Sequence, residues 1–138
     1  MTEPSDDDEH DDNIYIYDGD DIVSLFATHV RVVPSARDMS YPSFMSCYRL
    51  LEVELPEGLT SIRRWTFGHC KSLRSINIPS TVTEIGGNSF YNCVGLKEII
   101  LPQSLLKLGE GAFGSCISLE AIHIPPLIQT IEAKTFSE

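Results

Sequence analysis

Residues 73–95 read LRSINIPSTVTEIGGNSFYNCVG, and this stretch decides the fold. Its apolar side chains are Leu73, Ile76, Ile78, Val82, Ile85 and Phe90, with Cys93 close behind. The same pattern returns every 23 residues in both directions. Phenylalanines recur as Phe44, Phe67, Phe90, Phe113 and Phe136, and only Phe26 lies outside the series. The four cysteines, Cys47, Cys70, Cys93 and Cys116, keep the same step. Zinc sites pair ligands two to four residues apart, so this spacing marks a repeat and not a metal site.

Units 50–72, 73–95 and 96–118 are complete, 27–49 is a degenerate first unit, and 119–138 is truncated. Positions 1, 4, 6, 10, 13 and 18 of each unit are apolar. Positions 4 and 6 (Val53 and Leu55, Ile76 and Ile78) alternate as in a half-buried strand. Proline follows at Pro56, Pro79, Pro102 and Pro125, and is shifted to Pro34 in the first unit. It has no N–H for a ladder and should end each strand. One such unit cannot bury its own apolar side. Stacking at about 4.8 Å aligns equivalent residues into continuous ladders, here five strands deep. Position 17 is always small (Ser43, Thr66, Ser89, Ala112, Thr135) and leaves room beside each Phe.

Leu73-x-x-Ile76-x-Ile78-Pro79-x-x-Val82-x-x-Ile85-Gly86, followed by Ser89-Phe90-x-x-Cys93, resembles the BspA-type leucine-rich repeat. The resemblance implies an α/β-type repeat solenoid, mostly β and turns. It would be a right-handed array with a parallel sheet on one face and turns or short helical segments on the other. It also implies a binding or adhesion module and no enzymatic activity. Arg63-Arg64-Trp65 departs from the usual Ile-Gly-type turn, and Pro125-Pro126-Leu127 is unusual after a last strand.

Net charge is −10, but residues 1–22 carry ten acids and no Lys or Arg, so the remainder is neutral. Residues 1–13 are expected to form a disordered acidic tail, because like charges repel and no apolar residue anchors them. Ile14-Tyr15-Ile16-Tyr17 alternates as a strand. With Ile22, Val23, Leu25 and Phe26 it is expected to make an N-terminal capping segment over 14–26. Asp18-Gly19-Asp20-Asp21 lacks the full calcium-loop spacing and reads as a turn. Neither a signal peptide nor a membrane span is visible, which points to an intracellular, cytoplasmic chain.

Catalytic motifs are missing: His10, His29, His69 and His123 occupy unrelated contexts. No cofactor and no metal site are expected. The expected function is a non-enzymatic protein-interaction scaffold. Its candidate contacts are the outward residues at positions 3 and 5: His29, Arg31, Glu52, Glu54, Ser75, Asn77, Glu98, Ile100, Ala121 and His123. The second candidate is Arg63, Arg64 and Trp65, within a basic group that includes His69, Lys71 and Arg74, since Trp and Arg are enriched where partners dock. Nucleic acid is not an expected partner of so acidic a chain. A reading of another class makes the acidic tail a regulatory or cation-binding module on an inert scaffold. The truncated last unit should leave Leu119, Ile122, Ile124 and Ile131 uncovered. That predicts either a longer array or self-association through the uncapped C-terminal rung.

Overall fold

The computed structural model describes residues 14–20, 22–36, 39 and 43–138. Residues 1–13, and with them the expected disordered tail, lie outside the described residues. The chain winds as stacked rungs, one per unit. Strands β1 (Ile14–Tyr17), β2 (His29–Val32) and β3 (Glu52–Glu54) form a parallel sheet in that order. Its register pairs Ile14 with His29 and His29 with Glu52, so position 3 lies on position 3. In later units the alignment continues only as isolated parallel bridges, Asn77 to Ile100 and Glu98 to Ala121. The expected five-stranded sheet is therefore regular at its start and loose beyond it. Three residues between flanking turns are too few for a full ladder.

A second parallel sheet runs along another side, with β4 (Ser61–Ile62), β5 (Glu84–Ile85) and β6 (Lys107–Leu108) in order. The sequence places apolar residues at position 13 but gives no strand there, because two residues cannot show a period. A third side is held by backbone bonds that run forward along the array. Trp65, Phe67 and His69 donate their N–H groups to the carbonyls of Gly87, Ser89 and Tyr91 at 3.2, 2.8 and 2.7 Å. Asn88, Phe90 and Asn92 repeat the pattern onto Glu110, Ala112 and Gly114. Each position-7 residue accepts from position 10, as in Val82 N–H to Pro79 O at 3.1 Å. The first unit keeps this turn with Val33 as acceptor, and Pro34 enters a 3-10 turn, Pro34–Ala36.

The core is the set of repeated apolar columns. Phe44, Phe67, Phe90 and Phe113 are fully buried, and successive rings from Phe44 to Phe136 stack at centroid distances of 5.2, 5.4, 5.4 and 5.8 Å. Offset stacking at this separation suits aromatic quadrupoles. Tyr17 extends the ring column from the capping strand, 5.1 Å from Phe44, and its hydroxyl hydrogen-bonds Ser43 Oγ at 2.9 Å. In the segment expected to cap the array, Val23 is buried, whereas Ile22, Leu25 and Phe26 are exposed. Along the last rung Leu119, Ile122 and Ile124 are half-buried, Ile131 is exposed, and Phe136 rises to 40% exposure.

The turn side needs left-handed backbone at positions 16 and 20. Position 16 is Trp65, Asn88, Gly111 and Lys134; position 20 is Ser46, His69, Asn92 and Ser115; all have φ between 55° and 67°. Asn and Gly visit this region readily, whereas a bulky residue such as Trp is unusual there.

Candidate interaction surfaces

Positions 3 and 5 project from the first sheet because their neighbours at 4 and 6 turn inward. Arg31, Glu52, Glu54, Ser75, Asn77, Glu98, Ile100, Ala121 and His123 are exposed, and His29 is half-buried. This strip divides into two halves. In the first, Arg31 Nε and Nη2 reach Glu54 Oε2 and Oε1 at 2.6 and 3.3 Å, and His29 Nε2 lies 3.9 Å from Glu52 Oε2. The Arg31 hydrogen bond holds the Glu54 carboxyl below its usual range. The Arg31 and Glu54 charges answer one another. The second half holds Ser75, Asn77, Glu98, Ala121 and His123 together with Ile100, a large apolar residue that is 80% exposed. Clefts of about 580 and 440 Å³ flank it, one reaching Ala121 and the other Asn77.

The basic group does not stay together. Lys71 places its ammonium over the Tyr48 ring at 5.6 Å, and Arg74 lines the cleft beside Ile100. Arg63 and Arg64 follow β4 directly and are exposed, with no ion pair among the described residues. Trp65 turns back across its own rung, with its ring where a Cβ on Gly68 would come within 2.7 Å. It stacks on His69 at 5.9 Å and meets Tyr91 edge-on at 5.6 Å. The Asn92 side-chain amide donates to His69 Nδ1 at 2.9 Å. Tyr91 was not legible as a partner, since it occupies a position that is Gly68 and Gly114 in adjoining units.

The cysteines are packing residues. All four are free thiols, and Cys70, Cys93 and Cys116 donate to the carbonyls of Phe44, Phe67 and Phe90 at 3.1, 3.1 and 3.0 Å. Burial pushes Cys47 and Cys116 up to about 11, and Cys70 and Cys93 further still. A thiol held protonated is a poor nucleophile and a poor metal ligand. Among the described residues no group of three or more His, Cys, Asp or Glu could hold a metal ion. Among them, too, no helix is long and apolar enough to cross a membrane.

Parallel rungs with ladders of Leu, Ile, Phe and Cys define a leucine-rich repeat solenoid. The chain belongs to the BspA type leucine rich repeat region family, whose model matches residues 37–138. The solved T. pallidum leucine rich repeat protein is similar at 30% identity with a TM-score of 0.73, over 80% of this chain and 52% of its own. A leucine-rich repeat protein from Bacteroides ovatus ATCC 8483 is similar in fold, at 24% identity and TM-score 0.59, over 89% of this chain and 36% of its own. The chain thus spans about half, or less, of these two structures. No curated protein matches it significantly.

Proposed function

We propose that this chain is a non-enzymatic protein-interaction scaffold that engages its partner through the second half of the strand face. One observation carries the reading: Ile100 is 80% exposed in the second half of the strip, away from the Arg31–Glu54 ion pair of the first. An exposed aliphatic side chain between two clefts gains by burial, up to about 2 kcal/mol for an Ile fully covered. Charges that satisfy each other have less to offer a newcomer. The family is typically one of binding modules, which agrees with this use.

The test is capture of partners from the native source with wild type, Ile100→Asp, and an Arg31→Ala/Glu54→Ala control. The reading expects a partner that is held by wild type and the control and lost by Ile100→Asp. Equal recovery by all three would remove the strand face from consideration.

The exposed Ile131 and Phe136 support a second use, stacking of a further apolar layer on the last rung. Self-association there predicts a mass by light scattering that rises with concentration, and a fixed monomer mass would count against it.

A further inference from the structure

Positions 14 and 15 of successive units read Arg63-Arg64, Gly86-Gly87, Gly109-Glu110 and Glu132-Ala133. Because equivalent positions stack rung on rung, these pairs form one column along the array. Formal charge changes down it from two cations, through none, to one anion and then another. Three rung steps at about 4.8 Å separate the ends by roughly 14 Å. A cleft of about 390 Å³ follows this column, touching Arg64 at one end and Glu132 at the other.

Three glycines, Gly86, Gly87 and Gly109, give the cleft a floor of backbone, flanked by Glu84, Asn88 and Lys107. A Cβ on Gly86 would lie 2.7 Å from the Arg64 nitrogen, so rung packing excludes a side chain there. At Gly87 a Cβ would lie 3.1 Å from the Glu110 carbonyl oxygen, with Arg64 Nε 3.8 Å away, so this position too is held close against the next rung. In the middle Glu84 and Lys107 neutralise each other at 3.3 Å. At the ends Arg63, Arg64, Glu110 and Glu132 are exposed and have no ion-pair partner among the described residues. Trp65 stands beside the cationic end, half-buried and held by His69 and Tyr91.

We propose that this groove binds an extended peptide segment of about four or five residues, acidic at one end and basic at the other, lying along the array axis. Roughly 14 Å is the length of such a segment at about 3.3 Å per residue. The glycine floor lets a main chain come close, which a floor of side chains would prevent. Opposite unpaired charges at the two ends fix which end of the peptide goes where. A nucleic acid, uniformly anionic, would meet Glu110 and Glu132 and be repelled. The surface is separate from the Ile100 strip, so the two readings stand or fall independently.

Trp65 is the sole tryptophan and lines the neighbouring cleft with Arg63 and Arg64, so its fluorescence reports on the cationic end of the groove. The probe is a short peptide with paired glutamates at one end, a serine spacer and paired lysines at the other. A permuted peptide of equal composition with alternating charges is the control. The block peptide is expected to shift Trp65 emission saturably and to bind about tenfold more tightly than the control. Arg63→Glu/Arg64→Glu, and separately Glu110→Lys/Glu132→Lys, should each weaken it about threefold to tenfold, the scale of two exposed ion contacts. All four changes together should restore binding, because the peptide can then lie in the opposite direction. Ile100→Asp should leave it unchanged. Equal binding of the two peptides overturns the proposal, as does indifference to either reversal or failure of the fourfold variant to recover. Should a variant fail to fold, the comparison of the two peptides on the wild-type chain decides alone.

Discussion

Cys93 Sγ donates a hydrogen bond of 3.1 Å to the carbonyl oxygen of Phe67, a residue 26 positions earlier and one rung below. The thiol thereby ties the turn of one rung to the ring column of the previous one. It adds a second hydrogen bond to a buried carbonyl that also accepts from Cys70 N–H at 3.2 Å. Cys93→Ala removes both the bond and the sulfur volume. The expected loss is about 1–3 kcal/mol, read as a lower denaturation midpoint with an unchanged slope.

The same burial sets an alkaline limit. A thiol whose pKa rises on folding holds its proton more tightly in the folded state. The unfolded chain ionises first, as pH passes the ordinary thiol value of 9.0. Stability should be level with respect to these groups below that pH and fall as pH climbs toward about 11, where Cys47 and Cys116 titrate. Thermal melts across this range measure it, with a Cys70→Ala/Cys93→Ala variant as reference. A slope that is equally steep in that variant would assign the loss to other groups.

The ring column gives a graded packing test. Phe90→Ala, at a fully buried ring between two others, should destabilise by about 3–5 kcal/mol. Phe136→Ala, at 40% exposure and with one stacked neighbour, should destabilise by under about 2 kcal/mol. Similar losses at the two sites would show that the last rung packs as firmly as the middle ones.

Left-handed positions offer a gain. Lys134 has φ of 59° and an exposed side chain, so Lys134→Gly should relieve backbone strain and stabilise by about 1 kcal/mol. Gly111→Ala should do the reverse. Its φ is 67°, and the new methyl would collide with the Asn88 side chain. Chemical denaturation of both variants separates the two signs.

Arg31 and Glu54 pair on an open surface, with side chains 50% and 59% exposed, so their coupling should stay below about 1 kcal/mol. A double-mutant cycle with Arg31→Gln and Glu54→Gln would show it. Because the Glu54 carboxyl is lowered on folding, the contribution is present above the ordinary carboxylate pKa and fades as acid protonates the folded form. A coupling that persists once the carboxylate is protonated would mean the contact is packing and not charge.

Much of the solenoid was legible because its columns depend on residues that can be counted. Phe67, Phe90 and Phe113 gave the step, and Pro79 and Pro102 gave the strand ends. The second sheet was not, because Ser61–Ile62 and Glu84–Ile85 are two-residue strands held by their neighbours and not by their own propensity. The left-handed turns carry a signal in the sequence as well. Asn88, Asn92 and Gly111 are residues that favour positive φ, and they mark the positions that Trp65 and His69 occupy one or two rungs earlier. Reading position 15 down the units, from Arg64 through Gly87 to Glu110, would likewise have exposed the charge gradient. Read along the chain, the same residues lie 23 apart and look unrelated. Exposure of the outward strip followed from alternation, whereas the pairing that quiets its first half required coordinates.

Each kind of bond between rungs recurs at its own fixed offset, and this limits how the chain can change length. Gly58 N–H meets Thr81 Oγ1 and Asn92 meets His69, each across 23 residues. An insertion or deletion of one or two residues inside a rung would carry every later Phe and Cys out of its column. Adding or removing a whole unit leaves each remaining partner in place. Relatives of this chain should therefore differ in length by steps of one rung, with odd-sized insertions confined to the turns that no column crosses.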